Sequence, residues 1–196
     1  MIMGKLKEAT REQHEGLEQT VDVMNQMFSL ENYKTLLSKF YRFYSSIEPE
    51  LAKLDLKKYG YDLSERLKTP KLEKDLESLG LLDEAKKLPA WDNLPNLDSP
   101  EKAFGSLYVI EGATLGGQVI NRHLKEHLDL TPENGGLFFS GYGAQTGEMW
   151  KEFIQIITGF GMRANQDDTI VQSAKDTFDS FKNCFLEPIS VSKTAN

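Results

Sequence analysis

AFGSLYVIEGATLGGQVINRH, residues 103–123, is the stretch on which the fold turns. Apolar side chains recur at helical spacing through Phe104, Leu107, Tyr108, Leu115, Val119 and Ile120. Into that run fall Gly105, Gly112, Gly116 and Gly117. A glycine inside a helix costs about 1 kcal/mol relative to alanine, and the Gly112-x-x-x-Gly116-Gly117 group concentrates the cost in little more than one turn. Gly112 and Gly116 are four apart and share a face, leaving bare backbone there. Two causes fit that spacing. Either a second helix packs close against the backbone, or something flat and bulky lies on it where side chains are missing and the helix bends.

Upstream, residues 3–27 read as an amphipathic helix, with Thr10, His14, Leu17, Val21 and Met24 on the inward stripe. His14 therefore stands among apolar neighbours. A histidine so placed can be a hydrogen-bonded core residue or a ligand. Glu18, one turn on, can accept a proton from one imidazole nitrogen and leave the other free for a metal. Ser29 with Glu31 opens a second helix carrying an aromatic stripe from Tyr33 to Ile47, which Pro49 is expected to kink or end. Thr69-Pro70 reads as a cap with proline at the first helical position, and Gly80 closes that helix. Ser99-Pro100-Glu101 launches the glycine-rich helix. Two more helical runs follow, from Trp150 and from Val171. No segment alternates with period two, so the reading is all-α, with seven or eight helices in one domain over residues 1–187 and a frayed tail over 188–196.

Composition narrows the functions open to such a chain. A net charge of −7 without a long basic run argues against nucleic acid as the main partner. No apolar stretch approaches the roughly 18 residues of a membrane span, and residues 1–20 lack the apolar segment of a secretory signal. The single cysteine, Cys184, cannot close an internal disulfide, so a cytoplasmic location is expected. Flanked by Phe181 and Phe185, it reads as a buried, inert thiol. His123 and His127 stand four apart near a helix end. They lack an obvious third ligand, and the helix dipole favours histidine there, so they read as surface residues.

KEATREQH at residues 7–14 and YVIEGATLGGQ at 108–118, taken together, resemble the heme oxygenase family, and its bacterial branch most closely. Leu137-Phe-Phe leading to Trp150-Lys151, and Ala174 to Phe178, are similar to the same family further on. The resemblance implies a single-domain helical bundle with heme sandwiched between a proximal N-terminal helix and a glycine-rich distal helix. It implies His14 as the proximal iron ligand and Glu18 as the group that hydrogen-bonds its far side. Gly112, Gly116 and Gly117 fall on the distal roof, Lys7 and Lys151 on residues that meet the propionates, and Phe178 on the pocket lining. Ala113 stands where many members have an aspartate that organises water, and Gln155 where several have an arginine. The activity implied is oxidation of heme to biliverdin by O2, with release of carbon monoxide and ferrous iron. Heme is then cofactor and substrate at once. Electrons must come from a separate ferredoxin or flavoprotein reductase, because no Gly-x-Gly-x-x-Gly fingerprint is present. A non-catalytic heme-binding protein is the alternative. A di-iron oxidase would want Glu-x-x-His spacing, which the chain lacks.

Overall fold

In a computed structural model that describes residues 2–189, the chain is all-α, and no strand occurs among the described residues. Among the described residues ten α-helices stand where seven or eight are expected, because two sequence runs are broken by the backbone. The N-terminal run divides into α1 (Ile2–Ala9), α2 (Arg11–Val21) and α3 (Val23–Gln26). At the first break the Thr10 hydroxyl donates to the Leu6 carbonyl (2.8 Å). At the second, Asp22 adopts a left-handed conformation (φ 46°), which ends α2.

α4 (Leu30–Leu51) is capped by Ser29, whose hydroxyl accepts from Asn32 N (3.4 Å). The expected break at Pro49 does not occur there, and the helix runs two residues further. Pro49 lies in the last turn, where Ile47 and Leu51 are buried and anchor the chain. The aromatic stripe packs as core, with the Phe43 and Phe181 rings stacked at 4.0 Å.

α5 (Thr69–Ser78) starts one residue earlier than read: Lys68, not Thr69, stands at the cap position, and no side-chain bond from it caps the helix, because the cap comes from α4. The buried Glu48 carboxylate accepts from Lys68 N (2.6 Å) and Thr69 N (3.1 Å), placing an anion on a helix N-terminus. Gly80 (φ 70°) ends this run before the short α6 (Leu82–Lys86).

Residues 103–123 fall in α7 (Pro100–Gly112), a 3-10 turn over Ala113–Gly116, and α8 (Gly117–Leu128). Gly112, Gly116 and Gly117 all have negative φ (−60°, −76°, −59°). Any residue can adopt those angles, so it is space that calls for glycine here. α9 (Thr146–Ala164) and α10 (Asp167–Leu186) complete the bundle. α10 is its spine. It runs in the same direction as α7, Ser173 donating to the Lys102 carbonyl (2.6 Å) and Ser106 meeting Thr177 (2.5 Å). A Cβ on Gly105 would come within 2.3 Å of the Ile170 carbonyl, so helix approach accounts for that glycine. α2 crosses α10 further along, and α2 and α7–α8 thus face each other across a gap. The expected tail falls mostly on residues 190–196, which lie outside the described residues.

Candidate functional site

That gap is a cavity of about 540 Å³, within the range of small-molecule and cofactor sites. One wall is α2 with the start of α3: His14, Leu17, Glu18, Val21 and Val23. The opposite wall is α7, the 3-10 turn and α8, including Tyr108, Gly112, Ala113, Gly116 and Ile120. Aromatic rings close the interior end, Phe40 and Tyr44 from α4, Phe138 and Phe139, and Phe178 and Phe181 from α10. Lys68, Lys71, Tyr142 and Trp150 also reach it.

His14 owes its position to helical period and to α10. Its ring meets Phe178 edge-on at 5.7 Å. Its Nε2 lies 3.5 Å from Glu18 Oε1, the two side chains being 56% and 67% exposed. At that distance the carboxylate orients the ring without a short hydrogen bond.

The opposite wall shows what each glycine is for. A Cβ on Gly112 would meet only the Trp150 ring at 3.8 Å, and one on Gly116 only Ile120 at 3.7 Å; both are ordinary contacts. Protein packing therefore does not require glycine at either position. Gly117 is different. A Cβ there would stand 1.9 Å from the Phe139 carbonyl oxygen, so this glycine lets α8 sit on the Phe138–Ser140 turn, and it does not line the cavity. That turn is held in place by Asp75, whose carboxylate accepts from Leu137 N (2.8 Å) and Phe138 N (2.7 Å). Burial outweighs those two bonds and raises the Asp75 pKa to about 6.

Behind Gly112 lies a buried polar cluster. The Glu111 carboxylate is 1% exposed and accepts from Arg66 Nη1 (3.0 Å), Tyr61 (3.1 Å), Tyr142 (2.8 and 2.9 Å) and the Lys68 ammonium. Lys68 also donates to the Tyr142 hydroxyl (2.7 Å) and the Arg66 carbonyl (2.7 Å). Arg66 further pairs with Glu152. Desolvation lowers the pKa of Lys68 and of Lys71, against which the Glu111 charge acts at Lys68. Lys71 donates to the Gly141 carbonyl and stands over the Tyr142 ring at 4.9 Å.

Of the residues singled out in the sequence, His14, Glu18, Phe178, Gly112 and Gly116 come together around the cavity; Lys7 and Lys151 are exposed and outside its lining. The cavity's lysines are instead Lys68 and Lys71, which periodicity does not distinguish from solvated helix residues. One signal for the cluster was legible: Glu111 is the one charged residue between Ala103 and Asn121. Cys184 is buried as expected, which pushes its thiol up to about 11.

A family model described as heme oxygenase matches residues 2–187. Heme oxygenase PigA of Pseudomonas aeruginosa is 25% identical over 179 residues, covering 90% of this chain and 87% of that protein. The fold is similar to that of a heme oxygenase from Neisseria meningitidis, solved with NO and CO bound. Its TM-score is 0.79 at 22% identity, over 94% of this chain and 90% of that one. It is also similar to a heme oxygenase from the cyanobacterium Synechocystis in complex with heme, at TM-score 0.68 and 18% identity, over 94% and 90% of the two chains.

Proposed function

The chain belongs to the heme oxygenase family, and from that premise we propose that it binds heme in the cavity between α2 and α7–α8 and oxidises it to biliverdin. O2 and electrons from a separate reductase are consumed, and carbon monoxide and ferrous iron are released. One observation carries the reading. Gly112 and Gly116 present bare backbone to the cavity opposite His14, and no protein contact requires glycine at either position. A flat ligand lying on that backbone supplies the missing cause.

The cavity's donors fit heme. His14 offers an imidazole, a common axial ligand for heme iron, and Glu18 is positioned to hold the ring in one tautomer. Phe178 packs edge-on against that ring. The aromatic end of the cavity takes the apolar part of the macrocycle and keeps water from it. When bound, heme supplies both the redox centre and the carbon skeleton that is oxidised.

The propionates need cations. Lys7 and Lys151 are the family's choice and stand outside the lining; Lys68 and Lys71 are in it, although Lys68 is already paired with Glu111. Lys71 is thus the lining lysine without a carboxylate partner among the described residues, and its burial makes a charge-assisted bond to it stronger than one at the surface. Proton supply cannot use a carboxylate at position 113. Hydroxyl groups in the lining include Thr114, which donates to the Glu111 carbonyl (2.7 Å), Tyr108 on the roof helix, and Tyr142.

A single-turnover assay with reductant and catalase tests the reading. Biliverdin absorbance is the expected product, and His14→Ala abolishes the histidine-ligated heme spectrum, which added imidazole restores. A heme-loaded protein that keeps its Soret band under these conditions is a heme-binding protein without turnover. Ala113 and Gln155 are the residues that favour that outcome.

A further inference from the structure

His123, Glu126 and His127 lie on α8 outside the cavity, and each offers a ligand atom within 4.8 Å of the others. From this the geometry points to a surface site for a borderline divalent d-block ion, of the zinc and cobalt class, on the last two turns of α8. The histidine pair by itself lacks a third ligand. Glu126 is that ligand, and the His-x-x-Glu-His spacing brings it onto the same face: positions three and four beyond His123 are its neighbours one turn on.

Three features argue that this is more than a chance grouping of exposed side chains. The first is the donor set. Two imidazoles and one carboxylate match zinc-class ions, whereas calcium and magnesium want oxygen donors throughout. The second is that the ligands are partly ordered already. The two histidine rings lie 5.5 Å apart and 28° from parallel, and the Phe28 ring, two residues beyond α3, packs on His127 at 4.6 Å. The third is an unexplained polar atom: His123 Nδ1 is shielded from solvent and has no hydrogen-bond partner among the described residues. A shielded nitrogen left unpaired carries a desolvation cost, and no described residue compensates it.

An ion at about 2.0–2.2 Å from each ligand requires the three atoms to draw closer than they now stand, which side-chain rotation on an exposed helix allows. Three ligands leave at least one position for water, so the site is open. With all ligands on one helix, and no carboxylate or carbonyl orienting the imidazoles, its affinity is modest. It sits one turn beyond Ile120, which lines the cavity, but needs no heme.

The test is a Co2+ titration of the heme-free full-length chain, followed by visible ligand-field absorption and by calorimetry, with Zn2+ as competitor. One ion per chain is expected, displaced by Zn2+ and indifferent to Ca2+ and Mg2+. His127→Ala should weaken binding by at least about tenfold and Glu126→Gln by a few-fold, with helicity by circular dichroism unchanged in both. His14 and Glu18 form a second exposed histidine–carboxylate pair, so His14→Ala is the control and should leave the titration unaltered. Affinity unchanged in His127→Ala, displacement by Ca2+, or loss of binding in His14→Ala would each overturn the assignment. Heme binding by His127→Ala, read from the Soret band, should match that of the parent chain.

Discussion

The two sides of the α7–α8 segment differ in what holds them. On the side turned into the bundle every unusual residue has a protein partner. Gly105 admits the Ile170 carbonyl, Gly117 admits the Phe139 carbonyl, and Glu111 gathers Arg66, Lys68, Tyr61 and Tyr142. On the cavity side Gly112 and Gly116 touch nothing that a methyl group would disturb. The same residue type thus answers to two causes within one turn. The difference teaches that a glycine cluster is not one signal: half of it pins the roof to the bundle, and half keeps the roof bare.

The largest expected effect lies on the pinned side. Glu111→Ala leaves the Arg66 and Lys68 charges buried without their acceptor, and breaking a buried pair in this way costs about 3–5 kcal/mol. Urea denaturation measures it. A loss below about 1 kcal/mol would mean that water or Glu152 takes over, and that the cluster does not anchor the roof.

Next comes Gly117→Ala. A methyl group 1.9 Å from a backbone oxygen has no flexible side chain to displace, so α8 and the Phe138–Ser140 turn must separate. About 3 kcal/mol of destabilisation is expected, with Gly105→Ala similar. Thermal melts showing both variants as stable as the parent would erase the contrast between the two sides.

Asp75 supplies a pH-dependent form of the same anchor. Its folded-state pKa, raised by burial to about 6, stands above the ordinary carboxyl value. The folded chain therefore holds this proton more tightly than the unfolded chain does. The contribution is fully present below about pH 4 and is lost as pH rises through 6, by at most about 3 kcal/mol. Asp75→Asn should remove that part of the slope between pH 4 and 6, read as the difference between the two stability profiles. Parallel profiles would show that the two backbone N–H donors, not burial, dominate at this carboxyl.

The smallest effect is the sharpest test, because its sign is reversed. In the heme-free protein Gly112→Ala should stabilise by about 0.5–1 kcal/mol, as alanine replaces glycine at a helical position with room for it. The same change should weaken heme binding, since the methyl group enters the cavity. Destabilisation comparable to that of Gly117→Ala would return Gly112 to the packing side.

Much of this was legible in the chain. The 3.6-residue period of apolar positions gave an all-α fold, and the caps at Ser29 and Ser99 began their helices as read. His14 and Glu18 are four apart on one helix and face each other for that reason alone. The KEATREQH and YVIEGATLGGQ segments carried the resemblance that the family match bears out. All of these depend on residues within a turn or two of one another, where helix geometry fixes who meets whom. What only the tertiary structure decided joins residues far apart in the chain. Lys68 meets Glu111 across 43 positions, and Glu48 caps the start of α5 from 20 positions away. The Phe139 carbonyl separates Gly117 from Gly116, and Lys68 and Lys71, not Lys7 and Lys151, line the cavity. A period states which face of a helix is buried, and leaves open what is buried against it. That is set by helix–helix docking, where one carbonyl at contact distance outweighs the local preference of any single residue.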